Sequence, residues 1–119
     1  MSDITIYHNA RCSNSRGALE LLRERGIEPD IVDYIKHPLG VAELTALVAR
    51  LGVPVRELLR SKEAVYQELN LGDASLSEQQ LIEAVAAHPV LLNRPIVVTP
   101  KGARLCRPPE RVLELLAQA

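Results

Sequence analysis

The chain has 119 residues, enough for one domain with a sizeable core and too few for two. Phe and Trp are absent and Tyr7, Tyr34 and Tyr66 are the only aromatic residues, so that core must be aliphatic. A net charge of −1 and a pI near 6.3 argue against nucleic acid as the main partner, which calls for a basic face.

The N-terminus carries Asp3 and no basic stretch ahead of an apolar run, so it does not read as a secretory signal. No segment approaches the ~18 uninterrupted apolar residues of a membrane span. Two cysteines, Cys12 and Cys106, make a poor disulfide framework for a secreted domain. A reduced, cytoplasmic protein is expected.

Ile4 to Tyr7 alternates as a strand and runs into a polar loop that delivers Cys12 to the first turn of a helix. That helix carries Ala18, Leu19, Leu21 and Leu22 in a charged frame and stops at Gly26, a natural C′ residue. Glu28-Pro29 leads to a second strand, Ile31 to Ile35. Strand, helix and strand in so short a span make a βαβ unit, with parallel strands and a right-handed crossover.

The middle of the chain is helical. Val41 to Leu51 has apolar residues at helical spacing and ends at Gly52; Val55 to Arg60 follows Pro54 as a short helix, and Glu63 to Leu71 forms another, closed by Gly72. Ser75 to Gln80 holds overlapping capping boxes that open a helix through about His88. No strand signal interrupts Val41 to His88, so one domain spanning 1–119 is expected to carry a helical insertion at about 41–88.

Strand character returns at Ile96 to Thr99, Pro100-Lys101-Gly102 turns the chain, and Ala103 to Cys106 reads as the returning arm of a hairpin. Pro108-Pro109 opens a last helix whose buried face is Val112, Leu113, Leu115 and Leu116. The order β-α-β, helices, β-β-α resembles the thioredoxin-like fold, an α/β architecture with a four-stranded mixed sheet. Two markers of that fold are present: a cysteine opening helix one, and Pro95 just before strand three, which such folds hold cis beside the cysteine.

Cys12 has the setting of a reactive thiol. Helix N-termini and nearby cations favour the thiolate, and Arg11 and Arg16 flank it with His8 four residues upstream. The plain alternative is an inert, buried cysteine, the commoner fate of a free thiol. In Cys12-Ser13-Asn14-Ser15 the fourth position is Ser where a dithiol exchanger carries Cys, so Ser15 is expected to donate a hydrogen bond to the Cys12 thiolate. Cys106 reads as structural, with a resolving role only if its Cα comes within about 7 Å of that of Cys12. Paired C-x-x-C, H-E-x-x-H and Gly-rich phosphate loops are all missing, so neither a metal nor a bound cofactor is indicated.

Taken together, His8-Asn9-Ala10-Arg11-Cys12-Ser13-Asn14-Ser15-Arg16, Leu58-Leu59-Arg60, Tyr66-Gln67-Glu68-Leu69, Leu92-Asn93-Arg94-Pro95-Ile96-Val97 and Arg107-Pro108-Pro109-Glu110 resemble the glutaredoxin-coupled arsenate reductases, across essentially the whole chain. The resemblance implies that Cys12 attacks arsenate and that Arg60, Arg94 and Arg107 bind the oxyanion. It implies that His8 and Ser15, with Arg16 nearby, keep Cys12 ionised. Glutathione would resolve the arsenic adduct as co-substrate and glutaredoxin would take the mixed disulfide, the chain acting as a monomer in arsenical resistance.

Members of that family usually carry Pro at position 10 and Gly-Thr at 13 and 14, where this chain has Ala10, Ser13 and Asn14. It looks closer to an arsenate reductase-like branch. Two other functions remain open: a glutathione-dependent thiol-disulfide oxidoreductase, and an Spx-type redox regulator binding RNA polymerase, against which Ser15 counts. From residue type alone each arginine is equally a solvated surface group.

Overall fold

The computed structural model describes residues 3–116. Its elements in chain order are β1 (Thr5–His8), α1 (Ser13–Glu24), β2 (Asp30–Asp33), α2 (Val41–Leu51), α3 (Ala64–Glu68), α4 (Glu78–Ala87), β3 (Ile96–Thr99), β4 (Gly102–Leu105) and α5 (Val112–Leu116), with short 3-10 turns at Val55–Leu58, Pro89–Leu91 and Pro109–Arg111. The chain divides into two compact units. One comprises the chain up to His37 together with the stretch from Arg94 onward, and the other is Pro38–Asn93.

The first unit holds the whole sheet, ordered β2-β1-β3-β4. β2 runs parallel to β1, while β3 is antiparallel to both β1 and β4. This is the four-stranded mixed sheet of a thioredoxin-like α/β fold. Its core joins Ile6 and Val97 of the central strands to Ala18, Leu19 and Leu22 of α1, Cys106, and Val112 and Leu115 of α5. The Ile, Leu and Val side chains among these contribute about 1.5–3 kcal/mol each when fully buried. The side chain of Leu116 lies outside the described residues. α1 ends where Gly26 takes φ +78, a conformation that a Cβ disfavours, and the Ile27 amide turns back to the Leu22 carbonyl at 3.0 Å.

β2 is shorter than the strand expected over Ile31 to Ile35. The Asp33 carboxylate accepts the amides of Ile35 and Lys36 at 3.1 and 3.2 Å, and the Asp33 carbonyl accepts the His37 amide at 2.9 Å. An aspartate that caps its own downstream amides turns the chain out of the sheet.

The second unit is helical. α2 closes on Gly52 as expected, at φ +69. The stretch expected as a helix from Val55 to Arg60 is a 3-10 turn ending at Leu58, since Leu59 instead pairs with Leu92 as a β-bridge. α3 stops well before Gly72. The Leu71 amide bonds back to the Tyr66 carbonyl at 3.0 Å and Asn70 takes φ +53, while the Arg56 guanidinium holds the Leu71 and Asp73 carbonyls. Of the two overlapping capping boxes, Ser77 and Gln80 form theirs at 3.1 and 2.8 Å; Ser75 is taken by the Asp73 carboxylate. Among the described residues no helix is long and apolar enough to cross a membrane.

Candidate functional site

Sheet register decides which residues meet Cys12. Tyr7 near the end of β1 pairs with Ile96 at the start of β3, and Ile96 pairs with Leu105 at the end of β4. The Cys106 amide then donates to the Pro95 carbonyl at 2.8 Å. Residues 94–95 and 107 therefore reach the carboxyl end of β1, where the loop to α1 begins. The Arg94–Pro95 and Arg107–Pro108 peptide bonds are both cis; the sequence pointed to the first and not to the second. Gly17 lets the 107–109 segment come close to α1, because a Cβ there would stand 3.0 Å from the Pro109 Cγ.

The loop holding Cys12 is tied to its own backbone. The Asn9 carboxamide accepts the Arg11 amide at 2.9 Å, the Asn9 carbonyl accepts the Cys12 amide at 3.0 Å, and Arg16 donates to the Ala10 carbonyl at 2.8 Å. Cys12 is the N-cap of α1, with extended backbone (φ −94, ψ 123) and no acidic residue in the turn that follows. A cysteine at this position gives up the cap that Ser, Thr, Asp or Asn would supply, about 1 kcal/mol. It leaves the positive end of the helix unopposed for an anion.

The half-buried Cys12 thiol titrates below the ordinary cysteine range. Burial alone would raise it. The Ser15 backbone amide, the Arg94 guanidinium, the Asn14 backbone amide and Arg107 outweigh that by favouring the thiolate. The two amides act as aligned dipoles, since no side-chain cap hydrogen bond closes at Cys12. Arg107 Nη1 donates directly to Sγ at 3.6 Å. The same Nη1 donates to the Arg94 carbonyl at 2.9 Å. With its oxygen turned to the guanidinium, the Asn14 carboxamide accepts from Arg107 Nη2 and Nη1 at 3.1 and 3.2 Å. The Arg94 Nε–H is buried and finds no hydrogen-bond partner among the described residues.

Ser15 sits beside Cys12 by a different group from the one expected. Its fully buried hydroxyl accepts the Asn9 amide at 3.0 Å and meets His8 Nδ1 at 2.7 Å, so it is committed away from sulfur. Burial lowers the His8 pKa more than Asp33 raises it, which keeps the imidazole neutral near pH 7. The hydroxyl proton then goes to Nδ1, leaving the ring proton on Nε2. His8 and Ser15 thus brace the start of α1, and Arg16 braces the loop. Ser15→Ala strands both the Asn9 amide and His8 Nδ1, and is expected to lower unfolding free energy by about 1–3 kcal/mol in urea titration. The alkylation midpoint of Cys12 should stay put in that variant, because the backbone amide remains. A raised midpoint with unchanged stability would restore the hydroxyl-to-sulfur bond.

Cys106 is fully buried in the core of the first unit, and burial pushes its thiol up to about 12, which suits packing rather than exchange. Arg60 belongs to the second unit, where its guanidinium donates to Glu63 at 3.3 Å and to the Asn93 carboxamide at 3.2 Å.

The ArsC family model matches residues 7–115. The chain belongs to the ArsC family. It is 50% identical over 113 residues to the arsenate reductase of Rhizobium meliloti (strain 1021), covering 95% of this chain and 81% of that one. It is 52% identical over 114 residues to the uncharacterized protein YfgD of Escherichia coli (strain K12), covering 95% and 96% of the two chains. The structure of an arsenate reductase from Vibrio cholerae superposes with a TM-score of 0.91 at 49% identity, over 93% of this chain and 95% of that one.

In this ArsC chain Asn14 is visible from sequence only as a departure from the usual motif. Its signal was available: a carboxamide in the first turn of the helix that Cys12 caps can face whatever cation approaches that cap.

Proposed function

We propose that the chain is an arsenate reductase in which Cys12 is the nucleophile, Arg94 and Arg107 bind the oxyanion, and both units act as one catalytic domain. The observation that carries this reading is a half-buried cysteine at a helix N-terminus, held below the usual thiol range by two arginines and two amides. Arsenate is a tetrahedral anion at neutral pH, so an anionic nucleophile approaches it against Coulomb repulsion that fixed cations offset. Arginine suits this role because its charge is permanent and its planar fork pairs two oxygens at once. The unsatisfied Nε–H of Arg94 supports the reading, since such groups are rare and an oxyanion oxygen would satisfy it. The resemblance adds Arg60 as a third oxyanion ligand.

The Cys12 thiolate attacks arsenic, forming an S–As bond as one arsenate hydroxyl takes up a proton from solvent and leaves as water. A glutathione thiolate then attacks Sγ, forming a disulfide while the S–As bond breaks and its electron pair stays on arsenic. Arsenate has become arsenite, with the two electrons drawn from two thiols. Glutaredoxin takes the glutathionyl group by thiol exchange and returns Cys12. His8, Ser15 and Arg16 keep the loop and first turn in place, and the reaction belongs in the reducing cytoplasm.

Purified protein with glutathione, glutaredoxin and glutathione reductase is expected to oxidise NADPH only when arsenate is added. Turnover with a glutathione mixed disulfide but not arsenate would overturn the reading in favour of a thiol-disulfide oxidoreductase. Inactivity in both, with binding of RNA polymerase, would overturn it in favour of a redox regulator.

A further inference from the structure

We propose that Asn14 is a positioning residue: its carboxamide oxygen seats in the Nη1/Nη2 fork of Arg107 and holds that guanidinium against Cys12. With the Asn14 carboxamide assigned oxygen toward Arg107, the orientation in which both groups are satisfied, three acceptors share the Nη1 side of Arg107, namely the Arg94 carbonyl at 2.9 Å, the Cys12 sulfur at 3.6 Å and the Asn14 oxygen at 3.2 Å. The Asn14 oxygen also takes Nη2 at 3.1 Å, so it lies almost evenly in the fork and sets the plane of the guanidinium. What is left over is the Nε edge, with the second Nη2 hydrogen beside it. That edge has the spacing of two oxygens of a tetrahedral anion.

The choice of amide over carboxylate is the telling feature. A neutral acceptor fixes an arginine without cancelling its charge, so the field at the sulfur survives. Asp in the same place would form an ion pair with Arg107 and put a second negative charge beside the thiolate. For the helix alone Asp would be welcome, because an acidic residue in the first turn of α1 complements the macrodipole. Local helix stability and the demands of the sulfur thus pull in opposite directions at position 14.

The inference deepens the reading of Cys12 and Arg107 as one site, and its test needs no arsenate. Cys12 alkylation by iodoacetamide is followed against pH in wild type, Asn14→Leu, Asn14→Asp, Arg107→Ala and the Asn14→Leu/Arg107→Ala double variant, each checked by thermal melting. Asn14→Leu is expected to raise the midpoint by several tenths of a pH unit, and Asn14→Asp by about one pH unit without lowering the melting temperature. Asn14→Leu should add nothing once Arg107 is gone. An unchanged midpoint in Asn14→Leu, or an equal rise with and without Arg107, would overturn the proposal. Failure of arsenate turnover in the wild type with these titrations intact would count against the substrate and leave Asn14 in place.

Discussion

Cys12→Ser is expected to reduce arsenate-dependent turnover by more than about 10⁴-fold, to background, as removal of a nucleophile does elsewhere. A hydroxyl at this position stays protonated across the working range, so its attack on arsenate is slow. The deeper reason is redox: in the proposed reaction the electrons that convert arsenate to arsenite come from closing a disulfide, and oxygen cannot take the place of sulfur in that bond. Loss of folding would not explain the result. Cys12 is an N-cap with no side-chain cap bond, and serine is a favoured residue there. The variant should melt at or slightly above the wild-type temperature while turning over nothing. Substantial arsenate reduction by this variant in the NADPH-linked assay would remove Cys12 from the chemistry.

Arg107→Ala is expected to lower turnover by about 10²–10³-fold, the scale of one lost oxyanion donor. The same change should raise the pH midpoint of Cys12 alkylation, because a hydrogen-bonding cation 3.6 Å from the sulfur is gone. The two effects have a common cause but separate readouts, one requiring arsenate and one not. Arg107→Lys separates charge from geometry. It restores a cation but not the planar fork that the Arg94 carbonyl and Asn14 share and that is proposed to take the anion, so it should recover only part of the turnover. Full activity in Arg107→Lys would mean that charge alone suffices.

The βαβ start of the chain was readable because periodicity, Gly26 and the strand alternation all agree, and the late hairpin because Pro100 to Gly102 interrupts two apolar runs. Element ends were harder, and two of the misses have a side chain behind them. Asp33 turns the chain out of β2 by capping two amides, a competition invisible to strand propensity. Arg56 gathers the carbonyls of Leu71 and Asp73, which helps draw the chain out of α3 before its glycine.

At the site, Cys12 stood out because a polar loop and a helix start bracket it. Arg94 adjoins Pro95, a fold marker visible in the sequence, whereas Arg107 comes to the sulfur only when the local hairpin of Ile96 with Leu105 is joined by the long-range pairing of Tyr7 with Ile96. Which group of Ser15 faces Cys12 depended on His8, placed behind it by the end of β1. The hydroxyl went to the imidazole and the amide was left for the sulfur.

The proposed chemistry requires that the site favour the Cys12 thiolate, and alkylation of the wild-type protein as a function of pH measures that directly. Cys106 is buried with its thiol pushed up to about 12, so the signal reports Cys12 alone. A midpoint clearly below that of a free cysteine, about 8.5, is the expected result. A midpoint at or above that value would contradict the account, because nothing in the site would then be holding the thiolate.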